Sequence, residues 1–179
     1  MKGRLAITAL IVVIILSKML VFAESDAKRL KAMDTLWRAY TQFRQGLVSE
    51  GLKGVDEALS IDPDLAYANI VKGEITMQLQ DWETSRRYFE RGISFLKEPD
   101  QPLSPSPEVE IMPQEVEGDT RCFLGYVYTK LAQKASHSGD ASAEQKYLEL
   151  ANKSLKAGLK LNPGNEAREL AEGLLKMFR

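Results

Sequence analysis

The chain has 179 residues, enough for one globular domain with its own core and too few for two large ones. Lys and Arg number 24 and Asp and Glu 25, for a net charge of −1, which argues against a dedicated nucleic-acid binder. A single Cys and a single His exclude an internal disulfide and a self-contained Cys/His metal cluster, so neither metal nor cofactor is expected.

Lys2 and Arg4 precede an uncharged apolar run from Leu5 to Leu16, and Val21 and Ala23 stand at the −3 and −1 positions of a cut before Glu24. This is the layout of a secretory signal peptide, so residues 1–23 are expected to lie outside the fold. The run falls short of the ~20 residues that span a bilayer. The alternative is an uncleaved signal anchor over Leu5–Ala23, with Lys18 reaching the interface. The protein is then expected in the periplasm or secreted; the anchor would instead tether it to a membrane, facing the periplasm. Residues 1–23 carry three cations and no anion, so their removal leaves 21 positive and 25 negative groups.

From residue 26 to 97 the pattern is helical and repeats. Met33, Leu36, Trp37, Tyr40 and Phe43 recur at helical spacing, and Gly46 marks a turn. Gly51, Val55 and Ala58 then place small and apolar residues on a second helix, which Pro63 ends. The next copy runs from about Ala66 to Leu96: Gly73 in a first helix, Asp81-Trp82 at the turn, and Ser85, Phe89 and Gly92 in a second. Ala39 and Gly73 are 34 residues apart, as are Ala58 and Gly92.

Residues 98–117 hold five prolines, several acids and no Lys or Arg. They are expected as a Pro-rich, acidic loop, because proline at this density stops a helix. Residues 118–163 form a longer third copy. Leu124-Gly125 and Tyr128 stand in its first helix, and Ala151, Leu155 and Gly158 in its second. A turn is expected near Ser136–Asp140, with Asp140 as N-cap and His137 a solvated turn residue. Residues 164–179 carry Ala167, Leu170, Ala171, Leu174, Leu175 and Phe178 on one face, with Asn165 as N-cap. They are expected to be a capping helix over the last apolar surface.

The small, large-apolar and small positions at this period resemble a tetratricopeptide repeat. Ala58-Leu59-Ser60-Ile61-Asp62-Pro63 and Gly158-Leu159-Lys160-Leu161-Asn162-Pro163 match one another as copies of its end. Lys72 and Ser85 replace the usual Leu and Ala. The resemblance implies an all-α solenoid of about three helix pairs plus the capping helix, interrupted by the Pro-rich loop. It also implies a concave groove lined by the first helices. The family's groove positions fall on Tyr67, Ile70, Glu74 and Met77, on Asp119, Cys122, Tyr126 and Thr129, and on Met33, Leu36, Tyr40 and Phe43. Of these, Tyr40, Tyr67, Ile70, Glu74, Met77, Cys122 and Tyr126 are the expected binding residues. Members that grip a C-terminal carboxylate use Lys and Asn where Ile70 and Glu74 stand here, so that mode is not expected. Cys122 lies in an apolar stretch, where the alternative to a groove position is a buried, inert thiol.

No Gly-rich phosphate loop or His-Glu-x-x-His occurs, and His137 has nothing to orient it for a triad. The expected function is therefore that of a non-enzymatic, exported scaffold that binds another protein or a peptide in the cell envelope. The alternative is a periplasmic binding or transport-accessory protein that holds a small apolar ligand between its helices.

Overall fold

The structure, a computed structural model, describes residues 26–96 and 112–178. The expected export segment, 1–23, and residues 98–111 of the expected Pro-rich loop lie outside the described residues. Seven helices occur among the described residues, with no strand. They are α1 (26–44), α2 (Val48–Ile61), α3 (Ala66–Gln78), α4 (Trp82–Phe95), α5 (Pro113–His137), α6 (Ala141–Leu159) and α7 (Asn165–Lys176).

Three turns of the same construction divide α1 from α2, α3 from α4, and α5 from α6. Each holds one residue at positive φ: Gly46 at 85°, Gln80 at 60° and Gly139 at 76°. The next backbone N–H reaches back five residues in every case: Leu47 to the Gln42 carbonyl at 3.0 Å, Asp81 to Thr76 at 2.9 Å, Asp140 to Ala135 at 3.0 Å. This closes the orphan carbonyls of the first helix. The second helix of the later two pairs starts on an aspartate, Asp81 accepting from the Thr84 N–H and Asp140 from the Ala143 N–H.

Two boundaries differ from expectation. Helix α5 begins at Pro113, so residues 113–117 are helical and not loop. Proline suits the first helical position, where its missing N–H would have had no intrahelical partner and its fixed φ is already correct. Helix α7 takes Gly164 as N-cap, which leaves Asn165 inside the helix. The Gly164 N–H instead donates to Asp119 Oδ1 at 2.7 Å, tying the start of α7 to α5.

Packing runs from neighbour to neighbour along the chain, in the manner of an α-solenoid. One apolar cluster joins α1, α2 and α3 around Met33, Leu36 and Val55. A second joins α3 to α6 around Phe89, Val127 and Leu131. A third joins α5, α6 and α7 around Leu155 and Ala171. Helices α3, α5 and α6 belong to two clusters each, so the core is one linked series.

Within each pair the helices meet at glycines. A Cβ on Gly73 would lie 2.5 Å from the Phe89 ring, and one on Gly125 would lie 2.5 Å from Leu155 Cγ. On the facing helices, a Cβ on Gly92 would meet Ile70 Cγ1 at 2.6 Å, and on Gly158 it would meet Cys122 Sγ at 2.6 Å and the Gly118 carbonyl at 2.8 Å. Ser85, in place of the usual Ala, is accommodated because its hydroxyl donates to the Gly73 carbonyl at 2.8 Å. These contacts predict opposite effects for two Gly→Ala changes. Gly158→Ala should cost about 1–3 kcal/mol through overpacking against backbone. Gly173→Ala, with nothing within 4 Å of the new Cβ, should add about 0.5–1 kcal/mol. Urea unfolding of the two variants beside the parent checks both signs.

Candidate functional groove

The first helices of the three pairs, α1, α3 and α5, present one side to a common cavity of about 410 Å³, and the start of α7 closes its far end. Tyr40, Phe43 and Arg44 line it from α1, Glu74, Met77 and Gln78 from α3, Asp119 and Phe123 from α5, and residues 164–167 from the last turn and α7. Its volume is in the range of ligand-binding clefts.

Aromatic rings form its wall at the α1–α3 side. Trp37 packs edge-on against Tyr40, with centroids 5.6 Å apart and planes at 89°, and lies 5.6 Å from Tyr67. Tyr40 and Tyr67 are 6.1 Å apart, and their hydroxyls are in hydrogen-bonding contact. Burial raises both phenol pKa values above the ordinary range, so the hydroxyls stay protonated.

Beside this wall stands Glu74. Among the described residues its carboxyl makes no ion pair and no hydrogen bond. Burial pushes its pKa up to about 7; the Arg44 guanidinium opposes that shift from a distance, while Asp119 and Glu166 add to it. Arg44 is itself engaged with the Tyr40 hydroxyl. Asp119 is raised by burial, against which the Gly164 N–H pulls its pKa down. The groove is thus an apolar and aromatic trough with one cation and three acids, of which Glu74 is withdrawn from water without a partner among the described residues.

Of the expected binding residues, Tyr40, Glu74 and Met77 line the cavity, and Tyr67 stands behind Tyr40 in the aromatic wall. Ile70 and Cys122 do not face the groove. Ile70 is 2% exposed and Cys122 fully buried, because each points at the glycine of its partner helix, Gly92 and Gly158. Met33, Leu36 and Thr129 are buried as well, Thr129 donating its hydroxyl to the Gly125 carbonyl at 3.0 Å. Tyr126 packs edge-on against Trp82, with centroids 5.9 Å apart, and takes no part in this cavity. The Cys122 thiol is pushed up to about 12 by burial, which makes it unreactive.

Phe43 and Asp119 stood at expected groove positions and do line it. Arg44, Phe123 and Glu166 were not expected there. Phe123 and Arg44 each follow an expected groove position by one residue. Glu166 reaches the site only because α7 folds back onto α5, a long-range contact with no local signal. Among the described residues no group of three or more His, Cys, Asp or Glu is placed to hold a metal ion, and no helix is long and apolar enough to cross a membrane. Comparisons with protein-family models, with curated proteins and with solved structures find no match.

The raised Glu74 carboxyl sets a pH dependence of stability. An acid whose pKa is higher folded than unfolded stabilises the fold while protonated. Its contribution is complete below the unfolded value of 4.5, is lost as pH rises toward about 7, and is flat beyond. The parent should therefore lose roughly 2 kcal/mol from this group between pH 4.5 and 8, after allowance for solvent in the open groove. Glu74→Gln should lack that loss and be the more stable protein at pH 8. Guanidinium unfolding of both proteins at pH 5, 6.5 and 8 measures the difference.

Proposed function

We propose that this chain is an exported, tetratricopeptide-like scaffold whose concave groove holds a segment of another protein in the cell envelope. The observation that carries this reading is the cavity shared by α1, α3 and α5. Three successive helix pairs turn the same helix inward, and the rings and thioether there are the side chains that suit adaptable contact. The recurring turn supports a repeat origin, since Gly46 and Gln80 stand 34 residues apart in equivalent positions. The charged, apolar and small-residue order of residues 1–23 supports export. The three acids on the trough weigh against a small apolar ligand, for which unpaired carboxylates would be costly neighbours.

A photo-reactive p-benzoylphenylalanine placed at Met77, and separately at exposed Glu149 on α6, tests the reading in cells. A discrete cross-linked protein from position 77, absent from position 149 and lost when Tyr40 is also changed to Ala, is the expected result. Equal cross-linking from both positions, or none from 77, would remove the groove from consideration.

A further inference from the structure

The trough is chemically one-sided. Glu74, Asp119 and Glu166 face it with a single cation, Arg44. Asp119 already accepts the Gly164 N–H, and Arg44 is engaged with Tyr40. Glu74 and Glu166 have neither hydrogen bond nor ion pair among the described residues, but Glu166 is exposed, whereas Glu74 is largely withdrawn from water in the groove wall. Such a carboxyl lacks the partner that normally offsets burial of a charge. Phe43, Met77 and Phe123 supply apolar surface in the same cavity. The acidic Pro-rich stretch of this chain has no Lys or Arg between residues 98 and 117, so it cannot supply the missing charge.

We propose that the groove recognises a peptide segment of a partner protein carrying a lysine or arginine beside an apolar side chain, the cation pairing with Glu74 and the apolar neighbour resting on Phe43, Met77 and Phe123. This rests on the groove-binding reading above and adds the chemistry of the occupant. A cation at Glu74 favours its ionised form, so binding releases a proton wherever the free carboxyl is protonated. The groups facing Glu74 are Tyr40 and Arg44 from α1, Tyr67 from α3, Asp119 from α5 and Glu166 from α7. The two phenols, raised by burial, stay neutral between pH 6 and 8.

The probes are two peptides, acetyl-Phe-Lys-Leu-amide and its uncharged norleucine analogue, titrated into the ¹⁵N-labelled protein and followed by amide shifts at residues 40–44 and 74–78. The lysine peptide should bind at least fivefold more tightly than the norleucine peptide at pH 8 and weaken about three- to tenfold by pH 6, tenfold being the limit that one-proton linkage to a group near 7 sets. In Glu74→Gln both the preference and the pH slope should vanish; in Glu166→Gln the slope should persist. Equal affinity for the two peptides, or a lysine preference surviving in Glu74→Gln, overturns the charge assignment while leaving groove binding intact. Absence of groove shifts with either peptide also overturns it, and the cross-linking from position 77 then decides separately whether the groove is used at all.

Discussion

The close approach of two helices within each pair is the constraint on which the rest depends. Gly73 and Gly125 leave room for Phe89 and Leu155, and Gly92 and Gly158 leave room for Ile70 and Cys122. Interiors are packed at near-crystalline density, so a methyl group at these points has no space to enter. Where backbones meet this closely, the large side chains must stand to either side. One of the remaining sides carries the clusters that join successive pairs. Another carries the cavity. The groove is therefore a consequence of where the glycines fall, and not a separate construction.

Charge and polar contacts reinforce the packing within and between pairs without dominating it. Arg29 bonds to Asp62 at 2.9 Å across the first pair, Arg91 to Asp64 at 3.1 Å across the second, and Tyr128 donates to Glu90 at 2.6 Å between α5 and α4. Partly exposed pairs of this kind contribute about 0–1 kcal/mol each. They fix the relative register of neighbouring helices, while burial of Phe89, Met33, Leu36 and their neighbours provides the driving force. Helix α7 ends the series: Ala167 and Ala171 are buried against α5 and α6, and a terminal pair left bare would expose that surface to water.

The fold was readable because its determinants are local. Turn glycines, N-cap aspartates and small residues at a fixed period all lie within one helix pair, and Gly46, Asp81, Asp140, Gly73 and Gly158 do what their positions imply. The groove was only half readable. A rule placing the second, fifth, ninth and twelfth residues of each repeat on the concave face (Met33, Leu36, Tyr40 and Phe43 in the first) treats the helix as presenting one stripe. Here the fifth position in each pair is consumed by packing, Leu36, Ile70 and Cys122 all being buried. Tyr40, Glu74 and Met77, in the later turns, remain on the open side. The contribution of α7 was invisible for a different reason: Glu166 meets α3 and α5 only after the chain has closed, and no spacing along the sequence encodes that contact.

Glu74 stands apart from this economy. Elsewhere on the first helices Thr129 finds a carbonyl, Thr76 finds the Lys72 and Gly73 carbonyls, and Asp119 finds the Gly164 N–H; the buried Trp37 Nε1 and Asn69 Oδ1 that lack a partner are neutral. Glu74 has no such partner, and the neighbouring acids on α5 and α7 increase the work of ionising it. A glutamine there would fill the same space without that work, so the carboxyl is a net cost to the isolated fold above neutral pH. A side chain that breaks the local rule of satisfied burial, inside a cavity otherwise built from apolar and aromatic groups, is intelligible when its partner arrives with a ligand. The same one-sided charge that makes the empty groove costly is what gives a cationic segment something to gain by entering it.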